Sequence, residues 1–139
     1  MISFVISGEM RGKQRPRVTR RGHVYTPTET REAEAVIAKL AAEAMAGRSP
    51  IQCAVVLCII IDTEPPKSAS KAARERMLSG EEHPTKKPDL DNVVKLISDA
   101  MNGVVYVDDK QVVGLFVRKG YAKDARTVVT VQPLAEPEE

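Results

Sequence analysis

Aromatic side chains are scarce in this sequence: three tyrosines, two phenylalanines and no tryptophan among 139 residues. Proteins that grip single strands stack the bases on such rings, so that mode of recognition is disfavoured. Cysteine is as rare. Cys53 and Cys58 lie five apart in one apolar run, where an extended strand would face them to opposite sides. They are expected to be buried free thiols, in keeping with a reducing compartment. The two histidines, His23 and His83, belong to no metal-ligand spacing, which removes the usual signature of zinc. The longest apolar run, "CAVVLCIII", is about half of the roughly 20 residues that a spanning helix needs. The N-terminal "MISFVISGEMRG" lacks a basic region before its apolar part. A cytoplasmic chain with no membrane segment is expected. No glycine-rich phosphate loop occurs, so neither nucleotide hydrolysis nor, with the thiols buried, cysteine nucleophilic catalysis is indicated.

What is present is an ordinary folding composition, 42% hydrophobic and 29% charged, over a length that predicts a single domain across residues 1–139. The net charge of +2 averages over a strong asymmetry. Residues 11–23 read "RGKQRPRVTRRGH", with Arg11, Lys13, Arg15, Arg17, Arg20 and Arg21 and no acid, whereas residues 133–139 close on an acidic tail. A solvated loop would account for the basic run alone. Its place in a loop directly after a strand favours phosphate binding, and with so few aromatics the DNA backbone is what it would read.

The hydropathy pattern predicts a strand at "ISFVIS", a short extended piece at "HVYT", and a helix in "TPTETREAEAVIAKLAAEAMAG" with Thr26 or Thr28 as its cap. That helix should cover a sheet with Ala33, Val36, Ile37, Leu40 and Ala44. "IQCAVVLCIII" reads as a central strand, apolar on both faces. Residues 62–87 form a long connection holding a short helix at "SKAARERML", and connections of this length are usually functional or mobile. A further helix in "DNVVKLISDAMNG" should turn Leu90, Val94, Ile97 and Met101 to one face. The strands in "KQVVGLFVRKG" and "ARTVVTVQPL" suggest an antiparallel pair. Helices and strands do not alternate regularly, so the expected class is α+β, a two-layer sandwich with a mixed or antiparallel sheet packed on helices.

The aspartates carry the chemistry. Asp89 and Asp91 stand two apart after Pro88, where an extended segment points both the same way. Asp91 is the expected helix cap, and Asp91, Lys95 and Asp99 follow at four-residue spacing, with Asp99 away from any site at the helix start. A second pair, Asp108 and Asp109, opens a later strand. Helix caps, a surface ion pair and a turn would explain each aspartate singly. If helix start and strand start share one end of the layer, the two pairs meet in an all-oxygen site suited to Mg²⁺ or Mn²⁺.

"KKPDLDNVVKLISDAMNGVVYVDDKQVV" resembles the core motif of the RusA family of Holliday junction resolvases, endodeoxyribonucleases common in phages and prophages, and "GEMRGKQRPRVTRRGHVYTP" resembles the arginine-rich N-terminal motif of its phage members. The resemblance implies a homodimer that binds four-way DNA junctions in recombination and repair and cuts symmetric phosphodiesters with Mg²⁺. It places the essential acidic trio on Asp89, Asp91 and Asp109, the important lysine on Lys95, and an auxiliary acid on Asp108. Lys95 would neutralise transition-state charge, orient the attacking water, or keep Asp91 ionised. The six basic loop residues, with Lys86 and Lys87, would grip the DNA backbone around the cut. Two other readings compete: a non-catalytic branched-DNA-binding module on the same fold, which has no need of clustered carboxylates, and a hydrolase of small phosphorylated molecules, for which the basic loop is too long.

Overall fold

In β4 (Val55–Thr63) buried and partly exposed residues alternate, with Val55, Leu57, Ile59 and Ile61 inward. A strand with one fully buried face and one half-open face belongs inside a sheet covered on one side. The computed structural model describes residues 1–135 and places β4 there. The sheet runs β1 (Ile2–Ser7), β6 (Arg126–Pro133), β4, β5 (Val112–Tyr121). β5 pairs with β4 in parallel, and β6 is antiparallel to both β4 and β1. A small ribbon, β2 (Arg17–Val18) with β3 (Val24–Tyr25), stands apart. Glu136, Pro137, Glu138 and Glu139, the end of the expected acidic tail, lie outside the described residues.

Two helices cover the inner face, α1 (Thr28–Met45) and α3 (Leu90–Ala100), while α2 (Lys71–Ser79), capped by Ser70, lies in the connection that returns β4 to its parallel neighbour. The core joins Leu57, Ile59, Val129 and Val131 of the sheet to Ile37 and Ala41 of α1 and to Val93, Leu96 and Ile97 of α3. Each of the valines, leucines and isoleucines, fully buried, contributes about 1.5–3 kcal/mol. Tyr106 is wholly buried too, its hydroxyl donating to the Ser98 carbonyl at 2.7 Å. The class is therefore α+β with a mixed sheet, as the pattern predicts. No helix among the described residues is long and apolar enough to cross a membrane.

Some expectations are corrected and others hold. β5 and β6 are not paired, because β4 lies between them and takes hydrogen bonds from both. The β5–β6 turn therefore spans one strand. On α1 the expected Ile37 is buried and Ala33, Leu40 and Ala44 pack against the core, but Val36 is 55% exposed and Thr30, Ala41 and Met45 are buried instead. Its N-cap is Pro27, without a side-chain cap. The expected face of α3 holds, with Ile97 and Met101 buried and Leu90 and Val94 packed on the core, and it is wider than expected because Val93, Leu96 and Ala100 are buried too where the helix packs against α1 as well as the sheet. The thiols of Cys53 and Cys58 are free but only partly buried, Cys58 lying on the half-open face of β4.

Candidate active site

The start of α3 is built differently from the expected cap. Asp89, not Asp91, is the N-cap, with φ −72° and ψ 136°, and its side chain makes no capping hydrogen bond. Asp91 falls in the first turn. Both carboxylates are exposed, and neither is engaged by a hydrogen bond or ion pair among the described residues. Helix capping and ion pairing thus explain neither one. Both line a cleft of about 670 Å³ with Glu9, Arg11, Lys13, Arg15 and Lys87. Here the basic loop and the acidic helix start face each other.

The basic loop is fastened to α3 at its root. Lys13 N–H donates to the Asn92 carbonyl at 3.0 Å. A Cβ placed on Gly12 would meet Asn92 Cβ at 2.6 Å, so the close approach requires glycine. The Lys13 ammonium lies between Asp99 Oδ2 at 2.7 Å and Glu34 Oε1 at 3.1 Å. Burial alone would push that ammonium down, but the hydrogen bonds to Asp99 and Glu34 and their charges hold it above its ordinary value. Lys13 is thereby a latch between the loop, α1 and α3. Its role differs from that of an open phosphate contact, and Asp99, expected to be idle, is its main partner. Gln14 N–H donates to Thr30 Oγ1 at 3.3 Å, and Arg11 pairs with Glu29 at 3.4 Å on the surface.

Beyond this root, Arg15, Arg17, Arg20 and Arg21 are exposed on and around the β2–β3 ribbon, as are Lys86 and Lys87 before α3. Lys95 is also exposed, its Nζ 4.0 Å from Asp99.

The second acidic pair is elsewhere. Asp108 caps the 3-10 turn Asp109–Gln111, accepting from Lys110 N–H at 3.1 Å, while Gln111 Oε1 accepts from Asp108 N–H at 2.9 Å. Gln111 Nε2 also donates to the Ile51 and Cys53 carbonyls, at 2.7 and 2.9 Å, which ties the turn to the approach to β4. Burial raises the Tyr106 phenol well above its ordinary value, and the charges of Asp109, Asp99 and Asp108 push it the same way. The pair thus neighbours the far end of α3. Lys119, near the end of β5, donates to the Lys86 and Pro88 carbonyls at 2.6 and 3.0 Å, so the start of α3 lies at the end of β5 and not at its beginning. Val112 and Lys119 are seven residues apart along the strand, roughly 23 Å at about 3.3 Å per residue. The expectation that helix start and strand start share one end of the layer is therefore corrected: β5 runs parallel to β4, and its first residues lie at the opposite end. Among the described residues, no three His, Cys, Asp or Glu side chains form a group that could hold a metal ion.

The donor set still suits a hard cation. Mg²⁺ is commonly held by one or two carboxylates, with substrate phosphate oxygens and waters completing the shell. Asp89 and Asp91 offer two unengaged carboxylates in a cleft that Arg11, Arg15 and Lys87 also line. Sequence reasoning located this pair but missed Lys119 and the tie made by Gln111, because neither carries a spacing signal of its own.

A family model for the endodeoxyribonuclease RusA matches residues 7–132. A Bacillus subtilis (strain 168) protein, the uncharacterized YqaN, is 32% identical over 139 residues, covering 96% of this chain and 97% of its own length.

Proposed function

The chain belongs to the RusA endodeoxyribonuclease family, and from that membership we propose that it is a Mg²⁺-dependent, homodimeric nuclease that resolves four-way DNA junctions in recombination and repair. The observation that carries this reading is the pair Asp89 and Asp91. Two exposed carboxylates repel DNA, and neither makes a hydrogen bond or ion pair among the described residues; a bound cation reverses that repulsion. When bound, a divalent ion adds polarisation of the phosphodiester and acidification of a water. The chain's own residues do the rest. Asp89 and Asp91 hold the ion, Lys95 brings a solvent-facing positive charge toward the strained phosphate, and Arg15, Arg17, Arg20, Arg21, Lys86 and Lys87 hold the flanking strands. Mn²⁺ fits the same oxygen donors.

Asp109 and Asp108 join this site through a second copy. A four-way junction has two-fold symmetry and needs two matched cuts, which an isologous dimer supplies. β5 is an outer strand, with Val113, Leu115 and Phe116 exposed, and a long apolar edge of this kind invites strand pairing. Pairing about a two-fold axis is antiparallel. It sets the Asp108–Asp109 start of one β5 beside the Lys119 end of the other, where Asp89 and Asp91 stand. Asp109 then supplies a third carboxylate, with Asp108 behind it.

Nicking of a four-way junction and of a linear duplex of the same sequence, in Mg²⁺ and in EDTA, tests the function. Paired cuts in the junction with Mg²⁺ alone are expected. Tight binding without nicking under any divalent ion would instead support a non-catalytic DNA-binding module.

A further inference from the structure

We infer that Lys119 is a positioning residue of the acidic cleft, whose ammonium fixes the main chain from which Asp89 projects; this rests on the metal-site reading of Asp89 and Asp91. A lysine near the end of an outer strand ordinarily runs its stem along apolar surface and leaves its head in water. Lys119 does not. Its Nζ donates to two main-chain carbonyls two residues apart, Lys86 at 2.6 Å and Pro88 at 3.0 Å. These are the only hydrogen bonds that residues 83–88 make among the described residues. The segment before Asp89 carries no strand or helix ladder of its own, so apart from the packing of buried Pro84 its hydrogen-bonded tether among the described residues is this one side chain.

The consequence falls on Asp89. Its carbonyl is tied into the helix by Val93 N–H at 3.2 Å, while its carboxylate has no partner among the described residues to aim it. The direction of that carboxylate therefore depends on where the chain enters α3. Pro88 O, which Lys119 holds, is one peptide away. Lys119 thus acts from the sheet as an outer group does at a metal centre, fixing the orientation of a ligand it does not replace.

The test compares Lys119→Met, which keeps the stem and removes all donors, with Lys119→Gln, which keeps two. Junction nicking is titrated with Mg²⁺, and Mn²⁺ binding to the protein without DNA is followed by the paramagnetic resonance of the free ion. Lys119→Met should raise the half-saturating concentration of both ions by about tenfold or more, the usual effect of losing a ligand-orienting partner. Lys119→Gln should recover part of the loss. Junction affinity in EDTA and the thermal midpoint should stay near wild type. Unchanged ion response in Lys119→Met overturns the inference, as does failure of both variants to fold, which marks a purely structural lysine. Weaker junction binding in EDTA with a shallower salt dependence also overturns it, in favour of a phosphate contact. Asp91→Asn, run alongside, separates the two levels. If it keeps wild-type ion binding and nicking, the metal-site reading fails; if it loses both while Lys119→Met does not, only the role of Lys119 fails.

Discussion

At the scale of the residue, the site sorts its charges by whether they are engaged. Lys13, Asp99 and Glu34 compensate one another in a partly buried cluster. Asp89, Asp91 and the ribbon arginines face solvent. The two groups predict opposite behaviour. Lys13→Met leaves two carboxylates facing each other and should lower stability by about 2 kcal/mol, read as a shift in urea midpoint. Asp99→Asn should cost less, since Glu34 still pairs with Lys13. The raised pKa of Lys13 gives the sign with pH. The latch contributes fully below the ordinary lysine value of 10.5 and is lost as pH rises through the higher folded value. The stability gap between wild type and Lys13→Met should therefore persist to about pH 10.5 and narrow above it. A constant gap on the alkaline side would mean that the ion pairs contribute nothing and packing of the stem everything.

Between elements, the root of the basic loop is bound to the first turn of α3, and the β2–β3 ribbon extends beyond it. On the proposed function, DNA held by the ribbon would consequently be held in register with Asp89 and Asp91. Replacing Arg15, Arg17, Arg20 and Arg21 together with alanine should weaken binding to every DNA sequence. It should also reduce the slope of log affinity against log salt by up to about 3.6, near 0.9 per lost phosphate contact on duplex DNA. Nicking at saturating enzyme should fall far less. An unchanged slope would remove the ribbon from the interface. The sequence made much of this legible. Strict alternation announced β1, and β-branched density announced β4, because burial on one face or inside a sheet leaves that mark. The two-residue spacing of Asp89 and Asp91 announced the pair. Strand order was not legible, since β5 and β6 carry the same pattern whether they pair with each other or with β4. Nor was the separation of the acidic pairs, which depends on β5 running parallel to β4. The hidden use of Lys13 was also beyond a sequence reading: a latch and a phosphate contact look alike in a basic run.

For the whole molecule, one chain places its acidic pairs at opposite ends of β5, and the proposed two-fold partner would bring them together. Assembly and chemistry are joined in the proposal that Asp89 and Asp91 of one copy, with Asp109 of the other, hold the ion that cuts DNA. Junction nicking in Mg²⁺ by Asp91→Asn, by Asp109→Asn, and by an equal mixture after subunit exchange tests this most directly. Each variant alone should bind the junction in EDTA and leave it uncut, because every site lacks one carboxylate. In the mixed dimer one site collects both defects and the other collects none, so nicking of one strand should return, without the matched second cut. Wild-type nicking by Asp91→Asn alone would contradict the claim outright, and an inactive mixture of two inactive variants would contradict a site shared between copies.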